Sequence, residues 1–323
     1  MQNLLDPAIL FFVFGCFAGF IKSNLEIPRS TVKFLSLYLL MALGLKGGFA
    51  LAKTGLSHEL MISMLIAVMM SFLVPALGYW FLKNRISKFD AAAIAASYGS
   101  VSAVTFVTAI QYMEQNELNP NAYMAIALVI MESPAIIMAV LLASMLRHQQ
   151  NSTITSGPSV KNILHESFTD GAHLLLLGSM AVGFLSGDAG KVVMQPFSGD
   201  LFKGMLAFFL LDMGLMVAKN FKEAKSNSLI LVSYAALSPF IHACIALTLC
   251  LIFKVTLADT ILLMALSASA SYIVVPAVLR YAIPEANPSL YFGLSIGITF
   301  PINIIIGIPV YIWLAEFFMS SMS

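Results

Sequence analysis

Ten apolar stretches, joined by short polar segments, organise the chain. They run over residues 7–21, 31–52, 58–82, 90–112, 120–146, 169–186, 201–218, 228–253, 259–282 and 288–317. A helix needs roughly 20 apolar residues to cross about 30 Å of hydrocarbon, and all but the first stretch come close to that length or exceed it. The first is short and needs tilt or company. The pattern predicts an all-α integral membrane protein of ten transmembrane helices. Its one long polar connection, "RHQQNSTITSGPSVKNILHES" at 147–167, separates five spans from five. Residues 1–146 and 169–323 then form two halves, with 147–168 as a linker rather than a domain.

The halves resemble each other. "ELNPNAY" at 117–123 returns as "EANPSLY" at 285–291, and "DAAAIAASYGSVSAV" from Asp90 lies over "DTILLMALSASASYI" from Asp259. Ser100 falls on Ser269 and Ser102 on Ser271, while Gly44 matches Gly214 and Pro75 matches Pro239. Because each half has an odd number of spans, the second copy enters the membrane from the opposite side. Inverted repeats of this kind build secondary transporters, whose binding sites sit where matched helices are interrupted near the midplane.

The fourth and ninth spans have that interrupted character. "SYGSVS" and "SASAS" place serine, glycine and alanine where bulky apolar residues are expected, and Pro276 follows in the second copy. Serine hydroxyls compete for backbone hydrogen bonds, glycine adds freedom and proline removes a donor, so each weakens the helix locally. Unwound backbone at membrane depth is tolerated only where it is buried in protein or lines a cavity. Each break leaves free N–H groups at the start of a half-helix, and two inverted copies aim two such ends at one point, ready for a small anion. Small residues also permit tight helix packing, but their aligned duplication favours a site.

Other polar groups lie at depth. Glu132 in "VIMESPAII" either helps to hold a coupling cation through oxygen ligands or is neutral and bonded to a neighbouring helix. Thr299 and Asn303 occupy the comparable region of the tenth span, and an amide there can also serve as interhelical glue. Lys46 and Asp212, in the second and seventh spans, are expected to form a structural ion pair. His173 and His242 have no second ligand at i+3 or i+4, and Cys16, Cys244 and Cys250 lack metal spacing, so both sets read as packing residues.

Composition agrees with the pattern: 59% of the residues are hydrophobic and 10% charged, far from a soluble domain. A net charge of +1 without a basic run excludes nucleic acid as the main partner. The placement of Lys and Arg sets the orientation. With the N-terminus outside, twelve fall in inner segments, among them Lys22, Arg29, Arg147 and Arg280, against four in outer ones, Lys53, Lys191, Lys203 and Lys254. Both termini are expected outside and the linker in the cytoplasm. Residues 1–6 carry no basic residue ahead of the first apolar stretch, which reads as a retained helix rather than a signal peptide.

"GLKGG" in the second span, "GSVSAVTF" in the fourth, "ASASYIVVPAVLR" in the ninth and the closing "PEANPSLYFGLSIGITFPINIIIGIPVY" together resemble the sodium-dependent bicarbonate transporter family known from cyanobacteria. The resemblance covers essentially the whole chain. It implies a gate domain (spans 1, 2, 6 and 7) and a core domain that move as an elevator within a homotrimer in the bacterial inner membrane. It also implies bicarbonate held at the crossing helices by Gly99, Ser100, Ser102, Ala268, Ser269 and Ser271. Na+ would be the coupling ion, with Ser97, Tyr98, Thr105, Glu132, Thr299 and Asn303 as the candidate ligands. No cofactor is implied, and a cytoplasmic PII-like protein is the implied regulator.

Other functions fit less well. An organic-anion or bile-acid-like symporter would want a wider, more apolar cavity. An intramembrane enzyme would need a nucleophile and base or a metal set at one depth, and neither HExxH nor GxSxG is present. A passive channel is poorly served by a closed, duplicated anion site.

Overall fold

The computed structural model describes residues 6–55, 57–149, 171–226, 228–272, 275, 279 and 282–320. Among them there is helix and no strand. The first half comprises α1 (Pro7–Phe20), α2 (Arg29–Thr54), α3 (His58–Leu82), α4 (Lys88–Gly99), α5 (Ala103–Gln115) and, after a 3-10 turn at Ala122–Met124, α6 (Ala125–Gln149). The second comprises α7 (Gly171–Gln195), a π turn at Pro196–Asp200, α8 (Phe202–Ser226), α9 (Leu229–Phe253) and α10 (Leu257–Ser267). The chain closes with α11 (Pro288–Leu294), α12 (Phe300–Ile302) and α13 (Ile308–Ser320), joined through π turns at Ser295–Thr299 and Asn303–Gly307. Six described stretches are long and apolar enough to cross a membrane, and four shorter apolar helices accompany them.

Local sequence explains many of the boundaries. Ser87 caps α4 by accepting from Asp90 N at 3.2 Å, and Thr256 caps α10 by accepting from Asp259 N at 3.4 Å. The same Ser/Thr-x-x-Asp start thus opens both matched helices. Asn287 caps α11 with Pro288 at its first position, whereas Pro120 lies ahead of the 3-10 turn and α6 starts only at Ala125. The expected sixth span, 169–186, differs more. Helix continues to Gln195 after a break at Gly187, whose φ of 55° lets the chain turn, so Asp188 and Lys191 stand on helix rather than in a loop. The linker from residue 150 on and Pro276 lie outside the described residues, whereas residues 147–149 continue α6.

Two helix pairs form one layer: α1 runs along α8, and α2 along α7. Glycines set their spacing. A Cβ on Gly15 would meet Leu211 O at 2.2 Å and one on Gly214 would meet Phe12 O at 2.2 Å. In the other pair Gly44 faces Leu176 O at 2.4 Å and Gly48 faces Met180 O at 2.1 Å. Such contact is how helices associate where lipid offers no hydrophobic drive. Against this layer stand α3, α4, α6, α9 and α10, with α4 buried along Ala91–Gly99 and α10 along Asp259–Ser267. Large apolar side chains such as Phe17, Leu185, Leu237 and Trp313 face outward, the surface of a chain solvated by lipid.

The two halves also anchor each other. Buried Asp259, at the start of α10, accepts from Asn121 Nδ2 at 2.8 Å, Tyr123 OH at 2.7 Å and Ser63 Oγ at 2.9 Å. Its counterpart Asp90, at the start of α4, accepts from Asn287 N at 2.7 Å. Each aspartate therefore holds the Asn-Pro segment of the other half.

Candidate functional site

The break in the fourth span falls at residues 100–102. α4 ends at Gly99, packed so closely on α3 that a Cβ there would meet the Pro75 ring at 2.5 Å. Ser100 is extended (φ −92°, ψ −179°), as is Ser102 (φ −104°, ψ 113°), whose hydroxyl accepts from Thr105 N at 3.2 Å and so caps α5. In the second half, α10 ends at Ser267, Ala268 forms a turn, and residues 269–271 have no regular structure. Ser271 Oγ accepts from Val275 N at 3.3 Å, so this serine, like Ser102, bonds to backbone further along its own segment.

The breaks cross and bond to each other. Ser102 N donates to Ser269 Oγ at 2.9 Å, and Ser271 N donates to Ser97 O at 2.8 Å. Ser269 passes its own proton to Leu266 O at 2.7 Å. Thus the four aligned serines meet at one place, and Ser97, Gly99 and Ala268 stand beside them in the chain. Gly99 and these serines are buried, none of the serines more than 4% exposed.

The last span supports the crossing. Asn303 donates from Nδ2 to Ala268 O at 2.8 Å and accepts from Tyr311 OH at 2.7 Å, so it ties the α10 end to the closing helix. Thr299 Oγ1 donates to Ala235 O at 2.8 Å. Its proton thus committed, Thr299 accepts from Tyr98 OH at 2.6 Å. Tyr98, Thr299 and Asn303 are all within this network. Glu132 lies on α6, but its side chain falls outside those described.

Three hydroxyls at the crossing have no hydrogen-bond partner among the described residues: Ser97 Oγ, Ser100 Oγ and Thr105 Oγ1, on residues no more than 1% exposed. A buried polar group without a partner costs about 1–3 kcal/mol, and three together in a packed region demand an explanation. Their oxygens suit a cation and their protons an oxyanion. Ser267 Oγ and Ser295 Oγ are in the same condition. Ser267 opens the "SASAS" run and was within reach of the sequence pattern, while Ser295 had only its place four residues before Thr299 to mark it. Tyr272, whose hydroxyl accepts from Ser102 Oγ at 3.4 Å and whose ring packs edge-on against Phe300, has no aromatic counterpart in the first half and gave no signal.

Two charged pairs differ from expectation or add to it. Lys46 does not reach Asp212: its ammonium sits over the Phe202 ring, 4.3 Å from the centroid, and 4.0 Å from Glu114 Oε1. Asp212 is ten residues beyond Phe202 on the same helix, about 15 Å further along its axis, too deep to meet it. At the opposite end of the bundle, Arg147 grips Glu285 through two bonds, Nε to Oε1 at 2.8 Å and Nη2 to Oε2 at 2.9 Å, which holds the Glu285 carboxyl below its ordinary pKa. Among the described residues no group of His, Cys, Asp or Glu is placed to hold a metal ion.

The sequence model described as the Na+-dependent bicarbonate transporter superfamily matches residues 7–316. No curated protein matches the chain.

Proposed function

The chain belongs to the Na+-dependent bicarbonate transporter superfamily, and on that footing we propose that it is a secondary active symporter that takes up bicarbonate together with Na+. The anion sits at the crossing of the two interrupted helices, held by Gly99, Ser100, Ser102, Ala268, Ser269 and Ser271. Na+ sits beside it among Ser97, Tyr98, Thr105, Glu132, Thr299 and Asn303. The single observation that carries this reading is the set of unpartnered buried hydroxyls, Ser97, Ser100 and Thr105, at the point where both breaks meet. A bare oxyanion in a protein interior needs donors and a bare cation needs oxygens, and one cluster of backbone and hydroxyls offers both without a fixed charge.

The architecture proposed is ten spans in two inverted five-helix repeats. The equivalence of the α1–α8 and α2–α7 pairings and the reciprocal aspartate anchors support it. The four helices of those pairs act as the gate, and the remainder slides past them as the core, within a homotrimer of the inner membrane with both termini outside. One Na+ with one bicarbonate carries no net charge, so the membrane potential contributes nothing. A roughly tenfold Na+ gradient supplies about 1.4 kcal/mol, enough for about tenfold accumulation.

Uptake of radiolabelled bicarbonate by proteoliposomes, with and without an inward Na+ gradient, tests the proposal. Na+-dependent accumulation is expected. Equal uptake in both conditions would end the symport reading. Na+-driven uptake of another small anion in place of bicarbonate would move the substrate and keep the mechanism.

A further inference from the structure

A cavity of about 700 Å³ lies apart from the serine crossing. Its walls come from both sides of the proposed sliding boundary: α2, α7 and α8 on one face, and the end of α5 with residues 120–123 on the other. Four lysines line it, Lys46, Lys53, Lys191 and Lys203, against three carboxylates. Three of those lysines are in the segments that the charge pattern assigns to the outside, so the cavity opens on the side from which uptake begins.

Lys46 is the unusual member. It stands well inside an apolar span, in the "GLKGG" motif, and its side chain is 26% exposed. Placing an ammonium at such depth is expensive unless its N–H groups are used. Here they are not. Glu114 stands at 4.0 Å, beyond hydrogen-bonding distance, and no described residue accepts a hydrogen bond from the Lys46 ammonium. Its closest stabilisation is the face of Phe202, and nearby Lys203 repels it. Neighbouring glycines fix the helix that carries it: Gly44 and Gly48 pack directly on α7, and Gly47 packs on Ala122 O and Met180, so the Lys46 backbone is held in place at the cavity wall. An ammonium for which no described residue supplies a hydrogen-bond acceptor, facing an open cavity, is arranged to bind an oxyanion that brings its own acceptors.

We propose that this cavity is a capture site for a small oxyanion of the bicarbonate class, in which Lys46 exchanges its loose contact with Glu114 for the anion before the anion passes to the crossing. The inference rests on the transport reading and assigns a second, earlier station to it. Lys46 raises the local concentration of substrate; it takes no part in holding Na+.

Acylation of the purified protein by an amine-reactive reagent, read lysine by lysine by mass spectrometry, tests the site without requiring transport. Sodium bicarbonate should slow labelling of Lys46 relative to sodium chloride at equal ionic strength, and should leave Lys219, which is 64% exposed beside Glu26, unaffected. In uptake assays Lys46→Gln should raise the KM for bicarbonate about tenfold, equivalent to about 1.4 kcal/mol of anion contact, without changing the maximal rate or the Na+ dependence. Lys46→Arg should restore most of the loss. Lys46 labelling that is indifferent to bicarbonate, or protection given equally by chloride, would overturn the capture site. Protection of Lys46 in a protein that transports no bicarbonate would sustain the site and overturn the transport reading on which its role depends.

Discussion

Gly99→Ala tests how closely the crossing is built. The added Cβ would lie 2.5 Å from Pro75 Cδ, 2.6 Å from Cγ and 2.9 Å from Cβ, whereas carbon atoms in ordinary contact stand about 3.5–4.0 Å apart. Relief requires about 1 Å of movement. Pro75 is rigid and sits inside α3, so the yielding partner is the end of α4 and the extended residues that follow. The bonds across the breaks, Ser102 N to Ser269 Oγ at 2.9 Å and Ser271 N to Ser97 O at 2.8 Å, would be stretched beyond about 3.2 Å by such a shift. Overpacking at about 1–3 kcal/mol, together with about 1 kcal/mol for each of the two lost bonds, puts the cost at roughly 3–5 kcal/mol. The variant should therefore show a lowered apparent melting temperature in detergent and Na+-driven uptake reduced at least tenfold at equal protein. Gly178→Ala and Gly204→Ala, where an added Cβ meets nothing within 4 Å, are the matched controls and should behave as wild type. Wild-type uptake by Gly99→Ala would mean that the α4 end does not set the geometry of the site.

Three further outcomes follow from named contacts. Ser271→Leu or Ser102→Leu should abolish uptake while the protein still inserts and folds, as judged by size-exclusion profile; normal uptake would remove the serines from the site. Tyr123→Phe deletes one of three donors to buried Asp259 and should cost about 1.5–3 kcal/mol in detergent unfolding, with no loss expected if the aspartate is protonated and self-sufficient. Arg147→Leu should lower stability at neutral pH by about 1 kcal/mol. Because the folded Glu285 carboxyl titrates below its unfolded value, the pair's contribution is present above the ordinary carboxylate pKa and fades as pH falls through the lowered one. The gap between wild type and Arg147→Leu should accordingly close in acid; a gap that persists there would point to lost packing instead.

Features written in local residue choice were legible in the sequence, and those depending on the register between distant helices were not. The breaks could be read because serine, glycine and alanine cluster twice at one repeat offset, and the same helix start, Ser87-x-x-Asp90 and Thr256-x-x-Asp259, stands ahead of both. What the two aspartates hold could not be read, since Asn121, Tyr123 and Ser63 reach Asp259 from 138, 136 and 196 positions away. The Lys46 partner failed for the same reason: matching positions in a repeat says nothing about which turn of α8 faces α2, and the ring of Phe202 rather than the carboxylate of Asp212 occupies that turn. Tyr272 escaped because it breaks the repeat.

That last departure bears on the proposal that one crossing holds two different ions. At the break itself, among the described residues, the first half keeps Ser97, Ser100 and Thr105 hydroxyls unpartnered, whereas in the second half Ser269 and Ser271 have theirs engaged and Ser267 does not. Tyr272 adds a phenol beside Ser102, and Tyr98 with Thr299 forms a separate hydroxyl pair. Perfect duplication would give two equal sites. On the proposed reading, this asymmetry of the side chains would give the cation oxygen ligands in the first half and leave the anion its donors where the breaks meet, as coupling two opposite charges in one step requires.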